Sequence, residues 1–341
     1  MNKFKIVLYV FLCSVLLSAC YHEDDIIPSE KTMVLRFDFP QGNNSWDEDL
    51  VKINEEFGVC MIYKDIEEGD YNRSWTGGGV FAAEFHGQDL NDEQAQFYTN
   101  FFKNHVFNYL NAEITQKVLP PYYYMVYDYH ALYSFGTMQL KSEMSFYTDN
   151  LDFWVTCLEG DVNPLTFAQL VRPKTAEDYL MCRGVILKEI FEKAIEVGNI
   201  VVPEEFNTGI DYQTEITYKV GYENDDNYYV KRGFPGIMYT TFNFSDLQSV
   251  TKINPQTNFL QYINLGMRYT KEEYEALRPS SKYPLVHEKR QFVIDYMKRV
   301  HNIDLVAIVR GTYSGAYPFT FRQPIKHKIA FKSTILYPFI P

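Results

Sequence analysis

The chain has 341 residues, of which 46% are hydrophobic and 17% are aromatic, and its formal net charge is −12 at pH 7. Because so many apolar residues can bury a large core, this composition excludes an intrinsically disordered protein. The negative charge argues against a nucleic-acid partner, since neutralising phosphates requires clustered lysine and arginine.

Residues 1–19 have the layout of a secretion signal peptide. Lys3 and Lys5 precede an apolar run over residues 6–17, which is shorter than the roughly 20 residues of a comfortable membrane span. The run leads into Leu-Ser-Ala-Cys, which resembles a lipobox. It predicts cleavage before Cys20 and lipidation of the Cys20 sulfur, with palmitate-type chains that each contribute about 0.8 kcal/mol per buried CH₂. An ordinary cleaved signal and an uncleaved anchor are the alternatives.

Residues 20–32 are predicted to form the lipid anchor and a tether. They contain the acidic run Glu23-Asp24-Asp25 and show neither helical nor strand periodicity. An acidic run directly after a lipidated cysteine resembles the export signal of surface lipoproteins in some Gram-negative lineages. We therefore expect a lipid-anchored protein of the outer membrane, exposed at the cell surface. A solvated linker is the alternative interpretation of the acidic run.

Three cysteines remain once the signal and the lipidated residue are set aside, namely Cys60, Cys157 and Cys182. Each lies in an apolar run, which is typical of a small buried side chain. Because the chain has no C-x-x-C pair, metal binding through these thiols is not indicated. One disulfide among the three remains open, since spacing alone does not select a pair.

The folded part opens with short segments of alternating character. Alternating apolar residues predict a strand over 33–39, and helical spacing predicts a helix over 46–57 with Gly58 as its C-cap. A strand over 59–63 completes a predicted β-α-β unit. The Gly77-Gly78-Gly79 run is interpreted as a turn, because neither a phosphate-loop lysine nor a helix start follows it.

Aromatic residues dominate the next predicted elements. Helical spacing predicts a helix over 92–110, which carries His105 on its aromatic face, and a packing role is favoured there over metal binding. Strongly aromatic segments at 122–133 and 151–158 predict two strands.

The longest predicted helix begins near Thr175, where Thr175 and Asp178 have the spacing of a capping box, and ends at Gly198. Its apolar stripe follows steps of three and four residues: Tyr179, Cys182, Ile186, Ile190, Ala194 and Val197. On such a helix a zinc peptidase carries His-Glu-x-x-His, because this spacing places two imidazoles on one face and lets the glutamate reach the metal-bound water. The sequence has Lys188-Glu189-Ile190-Phe191-Glu192 instead.

The order of these segments resembles a family of lipoproteins described as zinc-binding metallopeptidases. The resemblance rests on the lipobox, the helix–strand segment 55–63, Leu119-Pro120-Pro121 leading into aromatic strands, the mid-chain helix, and the segment 289–305 with its Asn-Ile-Asp-Leu ending. It implies a zincin-like α+β domain over residues 33–309, with a mixed sheet and a long mid-chain helix. Beyond it, residues 310–341 are predicted to form a short β-rich C-terminal extension.

The resemblance also implies which positions would hold the metal. Lys188 stands at the first histidine position, Glu189 at the catalytic glutamate, Glu192 at the second histidine, and Ile195 at a third ligand. The acidic segment of the family falls at 257–261, where amides and a hydroxyl replace carboxylates. The metal site is therefore expected to be lost, with no metal or other cofactor, and the lysine to form an i,i+4 ion pair with Glu192, worth about 0.2–0.5 kcal/mol.

Other catalytic motifs are incomplete or missing from the sequence. His287-Glu288 has Gln291 at the position of the second imidazole, and no Gly-x-Ser-x-Gly occurs. The histidines are scattered along the chain: His22, His86, His105, His130, His287, His301 and His327. A nonstandard metal site built from residues far apart in the sequence remains open.

Flat aromatic rings beside amides and carboxylates also suggest sugar binding. The rings considered are Trp46, Trp75, Trp154, Tyr122, Tyr123, Tyr124, Tyr127, Tyr129, Tyr133, Tyr228 and Tyr229. Alternating tyrosines are, however, typical of half-buried strands, and this second interpretation is favoured.

Three functional hypotheses follow from the sequence. The first is a catalytically inactive metallopeptidase-like surface lipoprotein, a pseudoenzyme that binds or helps to capture extracellular glycans or proteins. The second is an active zinc-dependent peptidase with an altered metal site, in which Glu189 is the general base. The third is a structural partner of an outer-membrane transport complex.

Overall fold

A mixed β-sheet, covered by helices, forms the centre of the fold. A computed structural model describes residues 36–72, 83–238, 242–248 and 250–311, and those from Phe37 onward belong to one compact unit. The signal, Cys20, the tether, the triple glycine, Trp75 and residues 312–341 lie outside the described residues. The α+β class predicted from the sequence, with a mixed sheet and a long mid-chain helix, is confirmed.

The strands have both parallel and antiparallel neighbours. In chain order they are β1 Cys60–Ile62, β2 Glu84–Gln88, β3 Tyr122–Phe135, β4 Met138–Glu143, β5 Phe146–Tyr147 and β6 Phe153–Cys157. Strand β3 pairs in parallel with β1 and β6. Strand β5 runs antiparallel to β6, and a separate pair is formed by β7 Ile237–Met238 and β8 Phe244–Ser245.

Strand β3 changes neighbours at Asp128. Its first half, from Tyr122 to Val126, lies between β1 and β6 and is buried on both faces. Its second half, from His130, lies between β2 and β4, both antiparallel to it. Asp128 has a φ of +50°, a left-handed conformation that aspartate tolerates better than most residues. This residue therefore marks the boundary between a buried parallel sheet and an outer antiparallel sheet.

The helices follow in chain order. They are α1 Ser45–Phe57, α2 Glu68–Tyr71, α3 Asp92–His105, α4 Ala112–Thr115, α5 Ala176–Glu196, α6 Pro255–Arg268, α7 Lys271–Leu277, α8 Pro284–His301 and α9 Leu305–Arg310, with 3₁₀ turns at Phe107–Tyr109 and Glu204–Asn207. Among the described residues, no helix is both long enough and apolar enough to cross a membrane.

The two faces of the sheet bury alternate residues of β3. Tyr123 and Met125 belong to the main core, which also contains buried residues of α1, α3, α5, α6 and α8. Tyr124 lies on the other face, where its ring stacks on Phe153 at 4.8 Å and meets the ring of Phe37 edge to face at 5.6 Å. Aromatic residues therefore fill both layers, which explains why 17% of the chain is aromatic.

Most of the predicted elements are confirmed, and the first one is wrong. The helix before Gly58, the strand after it, the helix from Asp92 and the aromatic strands all form. Residues 36–39, the described part of the predicted first strand, form bends and irregular backbone instead of a strand. Their apolar pattern reflects a single anchoring ring, Phe37, which is buried against Tyr122 and Tyr124. The described part of the opening is therefore α-β, without the first strand of a β-α-β unit.

Candidate functional site

The long helix α5 carries the residues at the expected metal positions, and its start is fixed locally. The Thr175 hydroxyl accepts a hydrogen bond from the Asp178 amide at 3.1 Å, while the Asp178 carboxylate accepts one from the Thr175 amide at 2.9 Å. This is the predicted capping box. The predicted apolar stripe packs into the core through Ile186, Ile190 and Ala194, all buried, but its last residue, Val197, is 47% exposed.

Two ion pairs occupy the motif positions. The Lys188 ammonium lies 3.0 Å from Glu192 Oε2, and Lys193 Nζ lies 3.5 Å from Glu189 Oε1, each pair spanning one helical turn. Lys188 and Glu189 are largely buried, with side chains 15% and 23% exposed. The predicted pair between Lys188 and Glu192 is therefore present. Its hydrogen bond lies in a partly buried setting.

The face of α5 that carries Glu189 lies over the parallel part of the sheet. Burial raises the pKa of Tyr123, and the negative charge of Glu189 raises it further. The Tyr123 hydroxyl is engaged with Thr156 Oγ1 at 2.8 Å. One turn along, Lys193 Nζ lies 5.8 Å from the centre of the Trp154 ring. Glu189 is thus paired with Lys193, lies near Tyr123 of β3, and keeps 23% of its side chain exposed.

These residues do not fit a zinc ion. A protonated lysine has no lone pair to donate, and the Lys188 ammonium is held by Glu192. Glu189 is engaged by Lys193. Ile195, at the third position, is an apolar residue that packs against the core. A tetrahedral zinc site needs three or four nitrogen, sulfur or carboxylate donors facing one point, and this helix does not provide them.

The amide segment at 257–261 has a structural role instead. The Gln261 side-chain oxygen accepts a hydrogen bond from the Met238 amide at 2.8 Å, and the Asn258 side chain donates to the Gly233 carbonyl at 3.2 Å. Thr257 belongs to the first turn of α6, where its amide donates to Asn254 Oδ1 at 2.7 Å. These groups tie α6 to the neighbouring loops and β7. A cavity of about 130 Å³ beside them is smaller than the 300–1,000 Å³ of usual ligand pockets.

A second cluster, which we call the β2 cluster, consists of Glu68, Glu84 and His86. Glu68 Oε1 lies 3.4 Å from His86 Nδ1, and Glu84 Oε2 lies 3.9 Å from His86 Nε2. One donor atom from each residue falls within 4.8 Å of the other two. The sequence interpretation missed this cluster. The spacing of Glu84 and His86, two residues apart on a strand and hence on one face, was the available signal.

The β2 cluster continues into a polar row across the outer sheet. His86 is paired with His130 on β3, and His130 is paired with Glu143 on β4. The two imidazoles are stacked, with ring centres 5.5 Å apart. His130 Nδ1 contacts the Asp128 carbonyl at 2.7 Å, and Lys141 Nζ contacts both Asp128 carboxylate oxygens at 2.8 and 2.7 Å.

The remaining described histidines contact neighbouring residues, and the ring of His301 meets the ring of Tyr296 edge to face with centres 5.5 Å apart. His105 is buried and stacks on Tyr179 with ring centres 4.5 Å apart, which confirms its predicted packing role. Burial, with a contribution from the charge of Arg183, lowers the pKa of His105 to about 3. His287 Nε2 is 2.5 Å from the Arg278 carbonyl, and His287 Nδ1 is 3.6 Å from Glu275.

The predicted sugar-binding rings lie mainly in the core. Trp154 and the tyrosines at 122–124, 129, 228 and 229 are buried. Trp46, Tyr127 and Tyr133 are half-buried. The interpretation of alternating tyrosines as sheet residues is therefore correct for 122–124, whose side chains pack on both faces of β3.

The three cysteines are free thiols in the structure. Cys60 and Cys157 are buried, and Cys182 is half-buried on α5. The disulfide left open by the sequence does not form among them. Burial raises the pKa of Cys157 to about 12, as is typical of a structural thiol rather than a reactive one.

Comparison with known proteins adds one similar structure. No family model matches the chain, and no curated relative does. A crystal structure described as a "putative zinc-binding metallo-peptidase" from Bacteroides caccae is similar over 77% of this chain and 88% of its own, with 12% sequence identity and a TM-score of 0.39. That description names the same kind of protein as the sequence resemblance. At this identity no site residue is transferred from it.

Proposed function

We propose that the protein is a catalytically inactive, metallopeptidase-like lipoprotein of the outer membrane, exposed at the cell surface, that binds or helps to capture extracellular ligands. The observation that carries the proposal is the pair of ion pairs on α5, Lys188 with Glu192 and Glu189 with Lys193. They occupy the positions at which the family resemblance would place the metal ligands and the general base.

We expect no catalysis because of the charge that is paired with Glu189 and the residues that surround it. A general base must reach the proton that it removes, within about 2.6–3.2 Å or through one water. The Glu189 carboxylate is instead paired with Lys193 and lies near the buried Tyr123 of β3. The alternative of an active zinc peptidase would need Glu189 to be released and a metal to bind beside it. The contacts of α5 favour the inactive protein.

The surface supports a protein ligand better than a glycan. Most of the rings that suggested sugar binding are buried. In contrast, Phe135, Met138 and Leu140 at the end of the β3–β4 hairpin are 43%, 62% and 41% exposed. Exposed apolar side chains next to each other are a common feature of protein-binding surfaces. Within the proposed function, capture of a protein is therefore the better supported role.

A peptidase assay tests the inactive-enzyme proposal directly. Full-length protein purified in detergent is loaded with Zn²⁺, dialysed, and incubated with a library of fluorogenic peptides. We expect cleavage at the level of a buffer blank for the wild type, for Glu189→Gln, and for the exposed control Glu196→Gln. Cleavage by the wild type and by Glu196→Gln, but not by Glu189→Gln, would overturn the proposal and support the altered-site peptidase.

Lipid anchoring is tested separately. Cells that express the wild type or Cys20→Ser are fed radiolabelled palmitate, and the protein is isolated. We expect label in the wild type alone, and surface protease treatment of intact cells should degrade the wild type. Equal labelling of both forms would contradict lipidation at Cys20, while protection from the protease would contradict surface exposure.

A further inference from the structure

We propose that Glu68, Glu84 and His86, the β2 cluster, bind a divalent transition-metal ion of the zinc class. The donor set, one imidazole nitrogen and two carboxylate oxygens, is one that Zn²⁺ and its neighbours Co²⁺ and Ni²⁺ accept, with water completing the coordination. This site is separate from the α5 positions that the family resemblance points to. It stands whether or not the protein is an inactive peptidase.

The distances suit a metal ion. Zinc binds nitrogen and oxygen at about 2.0–2.2 Å, so ligand atoms around a tetrahedral ion lie roughly 3.4 Å apart. Glu68 Oε1 is 3.4 Å from one His86 nitrogen, and Glu84 Oε2 is 3.9 Å from the other. Both glutamate side chains are more than two-thirds exposed, at 68% and 71%. They can therefore turn onto the same nitrogen at little cost.

The backbone around the cluster is held in place. The Asn72 side chain donates to the Phe85 carbonyl at 2.9 Å and accepts from the Phe85 amide at 2.8 Å. Phe85 lies between the two β2 ligands, and Asn72 is the C-cap of the helix that carries Glu68. These two hydrogen bonds clamp α2 against β2. The backbone segments that carry the three residues are thus held together before any ion binds, which lowers part of the entropic cost of binding.

One ring nitrogen of His86 is available to bind a ligand. Its Nε2 atom is buried and has no hydrogen-bond partner among the described residues. Burying a polar atom without a partner costs free energy, and such an atom in a native site calls for an unseen ligand or water. A cation bound at this nitrogen would lie beside Glu84, and the exposed Glu68 side chain would turn to join it.

A row of polar side chains lies beside the β2 cluster on the outer sheet. His130 is stacked on His86, and its Nδ1 is directed at the Asp128 carbonyl. These two contacts hold the His130 imidazole in place against the face of His86. Glu143, the next residue in the row, has a buried Oε1 atom without a hydrogen-bond partner among the described residues.

The charges of this face favour a cation. The row and the β2 cluster bring together four carboxylates, those of Glu68, Glu84, Asp128 and Glu143. Among the residues that the structure describes, Lys141 is the cation of this row, and it is paired with Asp128. Three carboxylates then remain around two imidazoles. Such a local excess of negative charge raises the concentration of cations at the surface.

The experiment is a titration of metal into full-length protein purified in detergent and stripped with a chelator. Isothermal titration calorimetry with ZnCl₂ should show one site that is weakened at least about tenfold by His86→Ala and by the double variant Glu68→Gln/Glu84→Gln, because even outer-shell partners are worth about 10–100-fold. The control Glu48→Gln/Glu55→Gln, on exposed positions of α1, should bind like the wild type. Bound Co²⁺ should give a visible absorption band that the two site variants lose.

The outcomes are separate from those of the peptidase assay. Absence of zinc binding, or binding that the His86 and double-glutamate variants leave unchanged, would overturn the proposed site. If His86→Ala fails to fold, the double variant decides, because both glutamates are exposed. Zinc binding that depends on the β2 cluster, together with no Glu189-dependent cleavage, would support both proposals. Cleavage that depends on Glu189 would overturn the proposed function without affecting this site.

Discussion

The Lys188 ammonium and the Glu192 carboxylate lie 3.0 Å apart on successive turns of α5. In a zinc peptidase of the resembled family these two positions would hold the histidines that share one metal ion. Here the same i,i+4 geometry brings together opposite charges. The helix geometry is the same in both cases. Two histidines at this spacing can share a metal ion, whereas a lysine and a glutamate form an ion pair.

This ion pair should contribute little to stability. In a double-mutant cycle with Lys188→Met and Glu192→Gln, we expect a coupling free energy of about 0.2–0.5 kcal/mol, the usual range for helical i,i+4 pairs. The measurement is urea unfolding of each variant at low and high salt. Because part of the pair is exposed, the coupling should shrink in 1 M NaCl. A coupling above about 2 kcal/mol would mean that α5 depends on the pair.

Gly184 is predicted to be essential for packing of α5. A Cβ atom at this buried position would lie 2.2 Å from the Phe242 ring, which is itself fully buried. Gly184→Ala should therefore lower the free energy of unfolding by about 1–3 kcal/mol, although alanine is the better helix former. The control is Gly69→Ala on α2, where a Cβ meets nothing within 4 Å. Equal stability of the two variants would contradict the prediction.

The ion pair between Asp128 and Lys141 should contribute more to the free energy of unfolding than the ion pair between Lys188 and Glu192. Asp128 is buried at the bend of β3, and its carboxylate also accepts a hydrogen bond from the Asp161 amide at 2.8 Å. Asp128→Asn leaves the Lys141 ammonium without its counter-ion, and we expect a loss of about 3 kcal/mol in unfolding free energy.

Two further variants test this interpretation of Asp128. Asp128→Ala should cost about 1 kcal/mol more than Asp128→Asn, because alanine tolerates the φ of +50° less well. The double variant Asp128→Asn/Lys141→Met should recover part of the loss, since it no longer leaves a charge unpaired. Strictly additive losses in urea unfolding would show that the two residues are not coupled.

His105 should make the protein sensitive to acid. Its pKa is lowered from 6.5 to about 3, first by burial and then by Arg183. Between these two pH values the unfolded chain binds a proton that the folded chain does not. The free energy of unfolding therefore falls as the pH falls through this window, by up to about 1.4 kcal/mol per pH unit from this group.

The measurement compares the pH dependence of urea unfolding in the wild type and in His105→Gln. We expect the variant to have a shallower slope between pH 6 and about pH 4, whatever its stability at pH 7. The comparison of slopes removes the contribution of the other titratable groups. Identical slopes would contradict the lowered pKa of His105.

The local elements of the fold could be predicted from the sequence. The helix that ends before Gly58 and the capping box at Thr175 follow from contacts between residues close in the chain, and the aromatic strands follow from their strand-forming composition. The described part of the predicted strand over 33–39 does not form a strand, because a strand needs a partner. The alternating pattern alone did not reveal that the buried residue of its described part, Phe37, is an isolated anchor.

The sequence by itself determined the ion pair between Lys188 and Glu192, since helical geometry fixes which residues lie one turn apart. Only the tertiary structure decided that Glu68, Glu84 and His86 meet, and that His86 lies beside His130. The physical reason is strand register. A shift of one residue between β2 and β3 would turn His86 to the opposite face, and that register is set by the packing of the sheet rather than by neighbours along the chain.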